Sequence, residues 1–273
     1  MYKNYWQLES KPFEPAADPR FVFPSEGRQG ALHKLRYAIE SRRPAALLAG
    51  APGIGKTLLT QSLQSQCDEA ADRFVRVVFP LMSSRDLLGY LAEQLGAPPA
   101  DPPQHTVEES LRRLEFALGE ASRSGKHTVL VVEEAHLLED AGLLETLRLL
   151  LNLGGGQPLF TLLLVGQPAL LTAMPRNATL DERVDIKVLL KPFTAEETAS
   201  YIEHRLRAAG ATRSIFSADA LQRAHQLCHG VARRINRLCD LALVVGYAAG
   251  RHTIDAEQLQ AVHDELVTVR AAA

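Results

Sequence analysis

Two stretches carry residues suited to chemistry on a phosphate chain: Gly50-Ala51-Pro52-Gly53-Ile54-Gly55-Lys56-Thr57, and the carboxylate pair Glu133-Glu134. Glycines in the GxxxxGK[ST] spacing let backbone N–H groups wrap an anion, and a helix starting there adds the positive end of its dipole. Lys56 would reach the β- and γ-phosphates, the Thr57 hydroxyl would ligate Mg²⁺, and Leu58 would continue the binding segment into the helix. The pair Glu133-Glu134 closes the apolar run Thr128–Val132, in the manner of a Walker B strand. Glu133 would hold the Mg²⁺ shell, and Glu134 would orient and deprotonate an attacking water. Such a pair usually begins with Asp. The extra methylene of Glu133 suits a water-mediated contact with the metal, and turnover is expected to be slow or to depend on a partner.

These residues need a parallel sheet behind them, because ligands gather at the carboxyl ends of its strands. Five apolar runs of strand length are present: Ala45–Ala49, Phe74–Phe79, Thr128–Val132, Leu159–Val165 and Val184–Leu190. Helix-period segments alternate with them: Glu26–Glu40, Thr57–Cys67, Ser84–Leu95, Thr106–Arg123 and Leu137–Leu151. Loops are expected at the proline-rich Pro98–Pro103 and at Gly154-Gly155-Gly156. After Lys191-Pro192-Phe193 the strand signals stop. Thr194 with Glu197 forms a capping-box start, and helices are expected over Ala195–Ala209, Ala218–Leu227, Val231–Tyr247 and Ala256–Val267. The predicted organisation is an extension over 1–25 packed on an α/β nucleotide-binding domain at 26–191, then a small all-helical lid at 192–273.

Composition narrows the class. With 273 residues and 46% of them hydrophobic, the chain can bury a sizeable core. Its net charge of −2 neither advertises nucleic-acid binding nor excludes a local basic patch. Lys34, Arg36, Arg42 and Arg43 are candidates for such a patch, or for a solvated helix end. No run reaches the ~18 apolar residues of a membrane span. Three cysteines without metal spacing, Cys67, Cys228 and Cys239, suggest reduced thiols in a cytoplasmic protein. His225, Cys228 and His229 lie close together but lack a second ligand cluster, so they read as ordinary helix residues.

Several further segments resemble AAA+ ATPases of the ExeA (general secretion pathway A) type, a group also similar to transposition ATPases of the MuB and TniB kind. They are Tyr5-Trp6 with Lys11-Pro12-Phe13, Asp18-Pro19-Arg20-Phe21, Glu133-Glu134-Ala135-His136, Leu164-Val165-Gly166-Gln167-Pro168, Tyr201-Ile202-Glu203-His204-Arg205-Leu206, and Gly230 to Asp240. The resemblance implies a P-loop NTPase fold with a five-stranded parallel sheet and a helical lid, with ATP and Mg²⁺ as ligands. It puts Gln167 at the sensor 1 position as a γ-phosphate probe, although a turn residue before Pro168 is the alternative. Arg233 falls at sensor 2, Arg234 being the second candidate and a solvated helix face the plainer explanation. Arg183 matches an arginine finger offered to a neighbouring subunit, unless it pairs with Asp181 or Glu182. Phe21, Val22 and Phe23 would line the adenine or form core. His136 reads as structural.

A finger supplied in trans implies a homo-oligomer, ring or filament, that serves as the protein partner of a larger machine. Secretion members of the group continue into a membrane helix and a peptidoglycan-binding region that this sequence does not show. An ATP-dependent DNA-binding scaffold of the transposition type, or a nucleotide-binding switch with little turnover, are the alternatives.

Overall fold

Apolar runs without alternation suit strands buried on both faces of a parallel sheet, and the central strands here follow that rule. The computed structural model describes residues 2–14, 19–68, 72–78, 82–97, 106–138, 143–154 and 158–271. The loop expected at Pro98–Pro103 lies outside them, as do Asp18, Phe79, Gly155 and Gly156. Strands β1 (Ala45–Gly50), β2 (Asp72–Val77), β3 (His127–Val132), β4 (Phe160–Gly166) and β5 (Val184–Leu190) form one parallel sheet in the order β2-β3-β4-β1-β5. Every residue of β1, β3 and β4 is buried, whereas the edge strands β2 and β5 expose part of one face.

In chain order the helices are α1 (Tyr2–Tyr5), α2 (Glu26–Glu40), α3 (Lys56–Gln66), α4 (Ser84–Gln94), α5 (Val107–Arg123) and α6 (Leu143–Leu150). They continue with α7 (Ala169–Ala173), α8 (Ala178–Asp181), α9 (Ala195–Ala208), α10 (Ala218–Cys228), α11 (Ala232–Ala248) and α12 (Ala256–Ala271). The helix expected over Leu137–Leu151 is shorter. Ala135–Leu137 form a 3₁₀ turn, and α6 starts at Leu143, where the inward leucines 143, 144, 147 and 150 take up helical spacing.

The chain divides into two compact units. One holds residues 27–50 and 59–190, with the sheet and a core that includes Leu47, Leu130, Leu147 and Leu162. The other holds residues 1–26, 51–58 and 191–273. Its core joins Trp6, Phe13 and Phe21 from the opening segment to Ile202, Ile235, Leu243 and Ile254 from the helices.

The opening segment thus shares its core with the C-terminal helices. Two contacts account for this. Trp6 is 1% exposed, donates from Nε1 to the Leu243 carbonyl at 2.9 Å, and lies against Gly246, where a Cβ would approach its ring to 2.9 Å. Arg205, 4% exposed, donates to the carbonyls of Pro12 at 2.5 Å and Glu14 at 2.7 Å, with its guanidinium 4.7 Å from the Phe21 ring centroid. A buried cation is tolerated when its donors are satisfied, and the forked guanidinium reaches two carbonyls at once.

The second unit keeps the helix starts that the sequence announces. Thr194 and Glu197 make both bonds of the capping box, and Ser217 caps α10. Gly230 has φ +69°, and a Cβ there would meet the Phe193 carbonyl oxygen at 2.1 Å. Phe193 N–H donates to the Gly230 carbonyl at 3.0 Å, so only glycine lets these two segments cross.

Candidate functional site

In the helical unit, residues 51–58 form the loop and first turn that follow β1. Gly53 and Gly55 have φ of +75° and +106°, conformations that turn successive N–H groups inward and that L side chains resist. Lys56 is 7% exposed, and its Nζ lies 3.3 Å from the Ala51 carbonyl. Ile54 is fully buried and anchors the loop, while Thr57 is exposed at the start of α3.

Arg233 meets this loop directly. Its backbone N–H donates to the Gly53 carbonyl at 3.0 Å, and a Cβ on Gly53 would stand 2.8 Å from Arg233 Cβ and 3.5 Å from its Nε. The missing side chain at 53 therefore makes room for Arg233, which enters from the first turn of α11. Arg234 is exposed beside it, and its N–H bonds the Val231 carbonyl instead.

In the sheet unit, parallel registry sets the carboxyl ends of β1, β4 and β3 side by side, with Ala49 opposite Gly166 and Val132 opposite Leu164. The residues that follow these strands emerge along one edge. Glu133 is 5% exposed, and its Oε1 accepts from Arg76 Nη2 at 2.8 Å and Thr60 Oγ1 at 3.3 Å. Arg76 Nη2 also donates to Thr60 Oγ1 at 2.8 Å. A glutamate reaches these two groups with its longer stem, a use for the additional methylene that the sequence alone did not disclose. Arg76 was nonetheless legible as an anomaly, a lone cation inside the run Phe74–Val77.

Glu134 is exposed and sits in the left-handed region at φ 49°, ψ 34°. Its Oε2 lies 3.5 Å from His136 Nδ1, and His136 Nε2 lies 2.9 Å from Gln167 Nε2. The imidazole, expected to be structural, accepts the backbone N–H of Gln167 at Nδ1, 3.5 Å away. Arg183 donates to Asn152 Oδ1 at 2.6 Å, while Asp181 pairs with Lys187 at 2.5 Å.

The aromatic and basic candidates fall elsewhere. Phe21 is core, and Phe23 makes edge contacts with Phe193 and Tyr201, centroids 5.6 and 5.8 Å apart. Arg36 pairs with Glu40, and Arg43 reaches Asp185 and the Tyr37 hydroxyl. His225 bonds the Thr198 hydroxyl at 3.0 Å, and Cys228 is buried. Among the described residues no group of three or more His, Cys, Asp and Glu is placed to hold a metal.

Residues 39–174 match the family model described as an AAA domain. General secretion pathway protein A of Aeromonas hydrophila is 32% identical over 263 residues, 93% of this chain and 46% of that protein. The chain carries an AAA domain. Among solved AAA+ folds, the Aeropyrum pernix ORC1 protein in complex with DNA superposes with a TM-score of 0.69 at 19% identity, covering 95% of this chain and 71% of that one. Cdc6p from Pyrobaculum aerophilum gives 0.69 at 21% identity, covering 89% and 67%. The chain spans less than half the length of the secretion-pathway relative. Among the described residues of this AAA+ chain, no helix is long and apolar enough to cross a membrane.

The donor set suits the ligands that an AAA+ chain implies. Two glycines at positive φ ahead of a helix start, with a lysine in the same turn, fit a polyphosphate. Each taken within its own unit, the Thr57 hydroxyl and the Glu133 carboxylate are hard oxygen donors of the kind Mg²⁺ selects, and one oxygen of Glu133 is engaged by Arg76 and Thr60.

Proposed function

We propose that this chain is an ATPase of the AAA+ family that binds Mg·ATP at a subunit interface and couples binding and hydrolysis to the assembly or remodelling of a partner complex. The contact of Arg233 with Gly53 is the observation that carries this reading. An arginine seated on a glycine of the phosphate loop, within the same compact unit, can answer directly to the charge that the loop receives.

In this mechanism residues 50–58 hold the triphosphate, with Lys56 against its β- and γ-oxygens. Bound Mg²⁺ would be held by Thr57 and Glu133 and would neutralise charge on the same oxygens. Glu134 takes the proton from the attacking water as its oxygen bonds the γ-phosphorus and the bond to the β,γ-bridging oxygen breaks, giving ADP and phosphate. Gln167 probes the γ-phosphate, Arg233 couples the lid to phosphate charge, and Arg183 acts on a neighbouring subunit's nucleotide. A finger in trans is worth about 10³ to 10⁵ in rate, so the rate per subunit should rise with protein concentration. The cytoplasm, where ATP is supplied, is the proposed compartment.

The test is nucleotide binding and turnover of Lys56→Ala and Glu134→Gln across a concentration series. Unchanged ATP affinity in the first together with unchanged turnover in the second would sink the assignment. Two other readings have specific support. The buried Arg76–Glu133 pair favours a switch with little turnover, which predicts tight ATP binding with a rate near zero at every concentration. The DNA-bound ORC1 neighbour favours a DNA-associated scaffold, and binding that needs ATP and weakens steeply with salt would establish it.

A further inference from the structure

Arg183 has a partner that spacing along the chain did not announce. Its Nη2 donates to Asn152 Oδ1 at 2.6 Å, and among the described residues no carboxylate pairs with it. Asp181, two residues away, is taken by Lys187. A guanidinium only donates, so the contact also fixes which end of the Asn152 amide faces it. The acceptor is neutral. It restrains the fork and leaves the positive charge in place, which a carboxylate would offset.

Both ends of this bond stand on anchored backbone. Asn152 lies in the turn that closes α6, where its N–H donates to the Leu149 carbonyl at 3.0 Å and the preceding Leu150 and Leu151 are buried. Arg183 lies between α8 and β5, where its N–H donates to the Leu180 carbonyl at 3.0 Å, with Leu180 and Val184 buried. These four apolar side chains belong to one core, that of the sheet unit, and α6 packs against α8. The amide and the guanidinium therefore project from fixed points, and the hydrogen bond selects among the many rotamers an arginine could otherwise adopt. A fork ordered in advance loses less freedom when it meets a phosphate.

We infer that Asn152 is a positioning residue: its amide oxygen aims the Arg183 guanidinium at the neighbouring subunit's nucleotide without neutralising it. This rests on the role in trans proposed above for Arg183. Each nucleotide site then has two halves, the phosphate loop with Glu134 on one subunit and Arg183 with Asn152 on the next. A defect at 152 belongs with a defect at 183 and is separable from one at Lys56.

The test uses the full chain, with ATP hydrolysis followed for single variants and for mixtures. Asn152→Ala should lower kcat at least about tenfold, with ATP affinity within about twofold and the melting temperature unchanged. Asn152→Asp keeps the acceptor but offsets the charge, and should be no faster than Asn152→Ala. The double variant of Asn152→Ala and Arg183→Ala should be no slower than Arg183→Ala alone. Mixing gives the readout that a merely structural role would not move. Lys56→Ala keeps its finger and Asn152→Ala keeps its loop, so together they should hydrolyse ATP several-fold faster than the sum of the two alone. Asn152→Ala mixed with Arg183→Ala should show no gain. Wild-type turnover in Asn152→Ala or Asn152→Asp, no gain in the first mixture, or a gain in the second would overturn the inference. Arg183→Ala mixed with Lys56→Ala separates the two levels. Absence of rescue there removes the trans reading of Arg183 itself, whereas rescue there with unimpaired Asn152→Ala removes the part played by Asn152 alone.

Discussion

Gly53 shows how much one absent side chain decides. With φ at +75° and Arg233 Cβ only 2.8 Å from where its own Cβ would stand, Gly53→Ala must strain the loop and displace the arginine. The expected outcome is an ATP affinity about tenfold weaker, equivalent to ~1.4 kcal/mol, with the melting temperature little changed, as read by titration with a fluorescent nucleotide. Arg76 presents the opposite case, a side chain whose loss strands a charge. Removing one partner of a buried ion pair costs about 3–5 kcal/mol, and the one-quarter exposure of Arg76 brings the expectation for Arg76→Ala to about 2 kcal/mol in thermal denaturation. The glycines, Lys56 and the carboxylates could be read from the sequence because their meaning lies in local spacing. Arg76 with Thr60, and His136 with Gln167, could not, because each pair is joined only when separate strands and helices are brought into registry.

At the scale of elements, the five strands and the helix starts were legible where a single periodicity governs a segment. Thr194 with Glu197 is the clearest instance, since a capping box is complete within four residues. The opening segment has no period, and its placement is decided by side chains in the Tyr201–Leu206 and Gly230–Asp240 stretches that recognise it. Arg205 is the chief of these, holding two carbonyls of that segment while covering Phe21. Arg205→Ala should leave the sheet unit intact and free the first 26 residues, which limited proteolysis would register as faster cleavage there at unchanged rates elsewhere. Equal cleavage of variant and wild type would show that Trp6 and Phe13 suffice as anchors.

At the scale of the whole molecule, stability should carry the mark of His127 at the start of β3. Burial, with a contribution from Arg42, lowers its pKa to about 4 from an ordinary value near 6.5. The ring donates from Nε2 to the Thr161 hydroxyl, which itself donates to the Arg43 carbonyl. Between the two pKa values the unfolded chain binds the extra proton, so stability is full above about pH 6.5 and falls as the pH drops toward 4. His127→Gln should flatten that part of a melting-temperature profile. This slope concerns the fold alone and should be the same with and without nucleotide.

The union of the opening segment with the C-terminal helices also has a consequence for the order in which the molecule is made. Trp6 bonds the carbonyl of a residue 237 positions later, and at about 5–20 residues per second its binding partner leaves the ribosome roughly 10 to 50 s after it does. A side chain made in the first moments of synthesis is therefore among the last to find its place, and closing so long a loop is a slow event in refolding too. Trp6 is the single tryptophan of the chain, so its fluorescence reports that closure. In refolding experiments the indole signal should lag behind the recovery of helical and sheet circular dichroism.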